Sequence, residues 1–282
     1  MKKLLLSLFV VAVSANINAQ VKTPASSPAA KLEQTVGLTD VTVEYSRPGV
    51  KGRKIFGDLV PFGKVWRTGA NANTKVTFSD NVMIDGKELK KGTYALYTKP
   101  NAGSWDVIFY SDANNWGTPR EWDESKVALS TTAKVQPMPM KIETFTISID
   151  DLNSSSAMLG MLWENAYVGV KFSTPTDKGV EASIEKVMSG PSANDYYSAA
   201  SYYFDEGKDI KKAVKWMNKA VELTKDQPRF WYLRKQSLIL AKAGDKKGAI
   251  KAAKASLAGA EKRGNADYVK MNKESLKEWG AL

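Results

Sequence analysis

The chain of 282 residues contains neither histidine nor cysteine. Histidine is the commonest general base and metal ligand near neutral pH. Cysteine supplies thiolate nucleophiles, most structural zinc ligands and all disulfides. Their joint absence excludes Ser-His-Asp and Cys-His catalysis, Cys/His zinc sites and disulfide staples. Catalysis would have to rest on carboxylates, Lys, Tyr, or Ser/Thr paired with Lys, and no such constellation stands out. Gly-rich phosphate loops are missing as well, so no cofactor and no metal is expected. No nucleic-acid-reading motif is present. Beyond the N-terminal region no stretch is long and apolar enough to span a bilayer, which takes about 20 residues.

What is present begins with a secretory pattern. Lys2 and Lys3 precede an almost wholly apolar run from Leu4 to Val13, and Ala19 stands before Gln20. The pattern predicts a signal peptide over 1–19, cleaved after Ala19. The mature protein is expected to be periplasmic or secreted, and without cysteine it cannot be a lipid-anchored lipoprotein. Export without disulfides fits a bacterial envelope, and a chain this long can bury a core unaided.

The net charge of +11 is unevenly placed. From Gln20 to Gly190 there are 20 Lys and Arg against 19 Asp and Glu; from Pro191 to Leu282 there are 19 against 11. Secondary-structure signals change at the same place. Before it, short segments rich in β-branched and aromatic residues alternate as half-buried strands do: 41–46, 75–79, 93–98, 105–110, 142–149, 157–163 and 167–172. Turn signals such as Asp85-Gly86 and Lys91-Gly92 lie between them. Roughly nine short strands predict an all-β sandwich or barrel-like domain over 20–174. A linker is expected over 175–194, with one short candidate helix at 180–188. Five helices are predicted after it, over 195–204, 210–223, 230–243, 246–260 and 267–279. The fold class is thus α+β multidomain.

Two helix pairs overlay. Gly207, Ala213, Met217 and Ala220 match Gly244, Ala249, Ala253 and Ser256. Helix–turn–helix units repeating near 34 residues resemble tetratricopeptide repeats, with Tyr196, Ala199, Ala200 and Tyr203 fitting the first helix of that pattern. The second unit lacks the usual Gly and Tyr. The helical domain is expected over 195–282, with the final helix as its cap.

In the β half, the strings Tyr45-Ser-Arg-Pro48 and Val65-Trp-Arg-Thr-Gly-Ala-Asn71 stand within a longer stretch from Gln34. Gly92-Thr-Tyr-Ala-Leu-Tyr97, Trp105-Asp-Val-Ile-Phe109 and Leu162-Trp-Glu-Asn165 follow. Together they resemble the bacterial family catalogued as domain of unknown function 2911, over about 24–174. The resemblance implies an exported protein and supplies no catalytic residues.

The segment from Arg47 to Asn73 is the leading candidate for a binding site. Arg47, Arg53, Trp66, Arg67 and Asn71 are expected to lie close together. Guanidinium forks recognise carboxylate or phosphate, and the interspersed glycines let a backbone approach a ligand. The bland alternative is that Arg-Pro-Gly and Lys-Gly-Arg are turns and Trp66 is core. A second segment, 114–124, holds Trp116, Trp122, Glu121, Asp123 and Glu124. It suits carbohydrate stacking, or carboxylate chemistry if two acids face one another across a cleft; its bland reading is a loop pinned by buried rings. Rows of lysine, 211–215–219 and 247–251–254, suit an acidic partner or anionic lipid, or simply a solvated face.

The leading functional reading is a non-catalytic exported binding or scaffold protein of the bacterial cell envelope, its helical repeats binding a protein partner. A glycan-binding or carboxylate-dependent glycan-processing β domain is the alternative, and a glycan or anionic ligand is compatible with either. A periplasmic chaperone-like factor is a third reading.

Overall fold

The computed structural model describes residues 23–188 and 190–282. The expected signal segment and its cut after Ala19 lie outside these residues. The chain forms two compact units that part between Pro175 and Thr176.

The first unit is built on nine antiparallel strands: β1 (Ala29–Val36), β2 (Thr39–Ser46), β3 (Thr74–Phe78), β4 (Val82–Ile84), β5 (Lys87–Leu89), β6 (Gly92–Pro100), β7 (Ser104–Tyr110), β8 (Val127–Asp150) and β9 (Ser156–Ser173). Their spatial order is β1-β2-β3-β6-β7-β8-β9-β4-β5. The turns follow from local chemistry. Between β4 and β5, Asp85 and Gly86 both take positive φ (50° and 73°), the conformation a two-residue type I′ hairpin needs.

Alternation drives burial. In β2, Val41, Val43 and Tyr45 face inward while Asp40 and Glu44 face water. The sheet folds over on itself into two layers that share β8. Phe78 of β3 meets Phe172 of β9 edge-on at 5.6 Å. Tyr45 of β2 meets Phe145 of β8 at 5.9 Å and accepts a hydrogen bond from the Ile147 amide at 3.0 Å.

Two strands are longer than alternation alone foretells. β8 runs for 24 residues and β9 for 18. Their pairing is regular at both ends and shifts register twice around Ile142. Pro137 and Pro139 stand in this stretch, and proline removes ladder donors. Into the disturbed stretch comes the segment after β2. Gly49 pairs with Thr144, the Phe145 amide donates to Pro48 O at 2.9 Å, and the Val50 amide to Glu143 O at 2.7 Å. This docking fixes the start of the long excursion, residues 47–73, that carries the candidate site. Val50, Ile55 and Val60 are buried and root it in the core.

The second unit is six helices: α1 (Thr176–Val187), α2 (Ala193–Asp205), α3 (Ile210–Leu223), α4 (Phe230–Lys242), α5 (Lys246–Lys262) and α6 (Ala266–Glu278). Most of the segment read as a linker is therefore helical. Ser192 and Asp195 form a reciprocal capping box at α2, and Asp209, Asp245 and Asn265 cap α3, α5 and α6. α2 packs on α3, α4 on α5, and α5 on α6. The overlaid residues Ala213, Met217, Ala220, Ala249, Ala253 and Ser256 are all fully buried. Small side chains there let the helices approach closely: Ser256 Oγ donates to Phe230 O at 2.7 Å, across from α5 to α4. This arrangement is compatible with helical repeats. Among the described residues no helix is long and apolar enough to cross a membrane.

Candidate functional site

The site grows from a strained turn. After Trp66, the backbone takes positive φ at Thr68 (54°), Gly69 (151°) and Asn71 (59°). Asn tolerates this region through its short polar side chain. Thr is β-branched, and holding it there costs about 1–3 kcal/mol. The surroundings impose the conformation. Thr68 is fully buried, its hydroxyl donates to Thr98 Oγ1 at 3.1 Å, and its carbonyl accepts from Thr74 Oγ1 at 2.6 Å. A Cβ on Gly69 would stand 3.0 Å from Ser46 O, so only glycine fits. Strain held by so many contacts marks a place where function can reside.

Just before the turn, Trp66 is locked to β6: its amide donates to Thr98 O at 2.7 Å and its carbonyl accepts from Thr98 N at 3.0 Å. Its indole N–H donates to Gly69 O at 3.1 Å. The ring stacks on Trp163 of β9 with centroids 5.7 Å apart and planes at 16°. Phe145 lies edge-on to both, at 5.2 and 5.8 Å. Trp163 donates to Glu143 O at 3.3 Å. Both indoles thus have their polar atom satisfied by backbone and their orientation fixed.

Over this aromatic floor opens a cleft of ≈ 440 Å³, within the size range of small-ligand sites. Arg53, Arg67, Leu59, Val60, Asn71 and Trp116 line it with the two floor tryptophans. Arg53 is anchored by its Nε to Val50 O at 3.0 Å and its Nη2 to Gly49 O at 2.6 Å. Arg67 Nη1 donates to Asn71 O at 2.7 Å. Among the described residues neither guanidinium pairs with a carboxylate. Each holds N–H groups in reserve, since a guanidinium carries five donors.

Of the five residues expected together, Arg53, Trp66, Arg67 and Asn71 line this one cleft. Arg47 does not join them. Its Nε donates to Phe145 O at 3.1 Å and its Nη2 to Thr146 Oγ1 at 2.8 Å, which fastens β8 to the end of β2. Asn71 lies at the rim, but its amide nitrogen is engaged with Ser46 Oγ and Ser27 O at 3.2 and 3.3 Å.

The second segment divides. Trp122 is a pin: it packs on Tyr97 and Tyr110 at 5.5 and 4.7 Å and donates to Glu124 Oε1 at 2.9 Å. Asp123 caps the 3-10 turn 124–126 through Ser125, and these hydrogen bonds hold its carboxyl below the usual range. Trp116, by contrast, is 81% exposed and forms a wall of the cleft. Asn73, itself buried, holds that loop by donating from Nδ2 to Ala113 O at 3.2 Å. Tyr97 donates to Gly117 O at 3.0 Å, and burial pushes its hydroxyl up to about 12, so it remains a donor across the working pH range. Trp116 and Trp163 belong to the site, yet only tertiary pairing brings them to the Arg53–Asn71 segment.

A larger depression of ≈ 630 Å³ lies on α5 and α6. Its charges Glu261 and Lys273 pair with each other at 3.3 Å, and it has no aromatic lining. Among the described residues no cluster of three or more Asp or Glu converges as a metal site would require.

The fold and cleft define an antiparallel β unit with an aromatic-floored opening, followed in sequence by a helical unit. Residues 27–172 match the family described as "Protein of unknown function (DUF2911)", and the chain belongs to that family. The match covers every residue of the cleft and stops before the helices. No curated protein and no solved structure matches the chain.

Proposed function

We propose that this chain is a non-catalytic binding protein of the bacterial cell envelope, exported by its N-terminal signal, whose β unit holds a polar or anionic ligand. The observation that carries the reading is the pair of carboxylate-free guanidiniums, Arg53 and Arg67, set over the stacked Trp66–Trp163 floor. A charge-assisted hydrogen bond to such a group contributes about 1.5–3 kcal/mol. The acids closest in sequence to a catalytic pair, Asp123 and Glu124, are occupied with a cap and an indole, which supports binding over turnover. Substituting Arg67→Ala tests this. Binding of envelope-derived anionic ligands should weaken about tenfold or more, while the melting temperature stays nearly unchanged. A large stability loss with unchanged binding would reverse the reading.

One observation favours a protein partner for the helical unit. Trp231 on α4 is 38% exposed, with the Arg229 guanidinium 5.9 Å from its ring. Trp and Arg dominate interface hot spots. The exposed lysines of α3 and α5 would suit an acidic partner. Pull-down from cell envelope should recover a partner with the full chain, and Trp231→Ala should reduce that recovery.

A further inference from the structure

We infer that the ligand of the β-unit cleft is an acidic oligosaccharide, a pyranose chain bearing carboxylates, with Trp116 as the stacking wall and Arg53 and Arg67 as the acid receptors. This rests on the binding role proposed above and narrows it to one chemical class.

Three features of the cleft converge on that class. The first is Trp116. An indole left 81% exposed on a loop that is otherwise pinned through Ala113, Gly117 and Trp122 is a held surface, not a loose end. The axial C–H face of a pyranose packs against such a ring, while its hydroxyls stay wet. The second is the floor. Trp66 and Trp163 stack on each other with Phe145 at their edges, so there is no slot between rings for a flat aromatic ligand to enter. Trp163 is 1% and Val60 5% exposed and serve as backing, so the apolar surface open to a saturated ring is the half-buried Trp66 with the exposed Leu59. The third is charge. The two guanidiniums keep donors free after their backbone anchors, and no carboxylate of the described residues neutralises them. A neutral sugar would leave both cations without a counterpart. A small inorganic anion would leave the tryptophans without a purpose. A sugar acid uses both.

Arg67 is also tied to the Trp116 loop. A Cβ on Gly117 would stand 2.9 Å from Arg67 Nη1, so the loop backbone lies directly against the guanidinium. Wall and acid receptor are therefore set as one piece, which favours a ligand that presents an apolar face and a carboxylate at once.

The test is calorimetric titration of the mature full chain with tetragalacturonate, a neutral tetrasaccharide (cellotetraose), citrate and naphthalene sulfonate. Tetragalacturonate should bind at least about tenfold more tightly than cellotetraose. Trp116→Ala, at an exposed position, should keep the melting temperature and lose about tenfold in affinity for tetragalacturonate. Arg67→Gln should erase the preference over cellotetraose. Equal binding of both tetrasaccharides overturns the acid-receptor inference and leaves the cleft a binding site. Citrate or naphthalene sulfonate binding more tightly than tetragalacturonate, sensitive to Arg67→Gln, overturns the sugar class and again leaves the binding role. If no member of the panel binds, the inference fails. The binding role fails with it only if envelope-derived ligands also show no Arg67-dependent binding.

Discussion

Arg47 and Arg67 stand twenty positions apart in one glycine-rich segment, and the fold gives them opposite work. The Arg47 guanidinium reaches two groups of β8, so its removal strips partners from half-buried positions. Arg47→Ala is expected to cost about 1–2 kcal/mol in urea unfolding and to leave ligand affinity unchanged. Arg67→Ala should do the reverse. Gly117 gives a third contrast. Its φ of +90° and the nearness of Arg67 make Gly117→Ala costly by about 1–3 kcal/mol, and the displaced guanidinium should weaken binding as well. The sequence makes Arg53, Trp66, Arg67 and Asn71 legible as a group because they are close along the chain. It cannot sort Arg47 from them, since the discriminating contact is with a strand almost a hundred positions on.

At the scale of elements, helices are the most legible. The N-caps Asp209, Asp245 and Asn265 are visible as polar residues ahead of periodic runs, so α3 begins and ends where periodicity places it. Strands with one apolar face, such as β2 and β3, are equally plain. β1 is less plain, because its inward face is Ala30, Leu32, Gln34 and Val36, of which only Val36 is fully buried and one is polar, so its alternation is weak in the sequence. The first half of β8 alternates buried and exposed residues, but two of its inward residues are Thr131 and Ala133, which carry little apolar signal, and the prolines that follow argue against a strand. α1 offers a test of pH dependence. Tyr202 of α2 donates to Asp177 of α1, and Lys208 pairs with the same carboxylate at 3.1 Å. The Tyr202 hydrogen bond, then Lys208, hold the Asp177 carboxyl below its ordinary value of 3.8. Its contribution is therefore present above that value and lost as pH falls through the lowered folded value. Burial and the same carboxylate push the Tyr202 hydroxyl up, so its share is present at neutral pH and fades as pH rises beyond about 10. The protection of α1 amides, taken relative to their intrinsic exchange rates, should fall below about pH 4. Asp177→Asn should flatten the acid limb.

At the scale of the whole molecule, the two units differ in composition as well as structure. The charge excess belongs to the helices, and the family match belongs to the sheet. Each unit has its own apolar cluster. Limited proteolysis should therefore cut first near 175–194, and the fragment 20–175 expressed alone should retain the ligand affinity of the full chain, measured by the same titration. Under the export proposed above, N-terminal sequencing of the mature chain should begin at Gln20.

The two-layer sheet has a consequence for how the protein comes to exist. β3 and β6 are neighbours in one layer, yet the β4–β5 hairpin made between them pairs with β9 in the other. That hairpin has no mate until the end of the unit has been synthesised. The cleft has the same dependence, because Trp66 waits for Trp163 to complete its floor. Pairings between segments so distant carry a high loop-closure cost and fold slowly, on the order of milliseconds to seconds. Under the export proposed above, the chain would arrive with its first half exposed and unable to close. Its apolar hairpin is then open to capture by other chains until the last strand emerges. Expression yield should therefore be set by kinetics of closure more than by final stability.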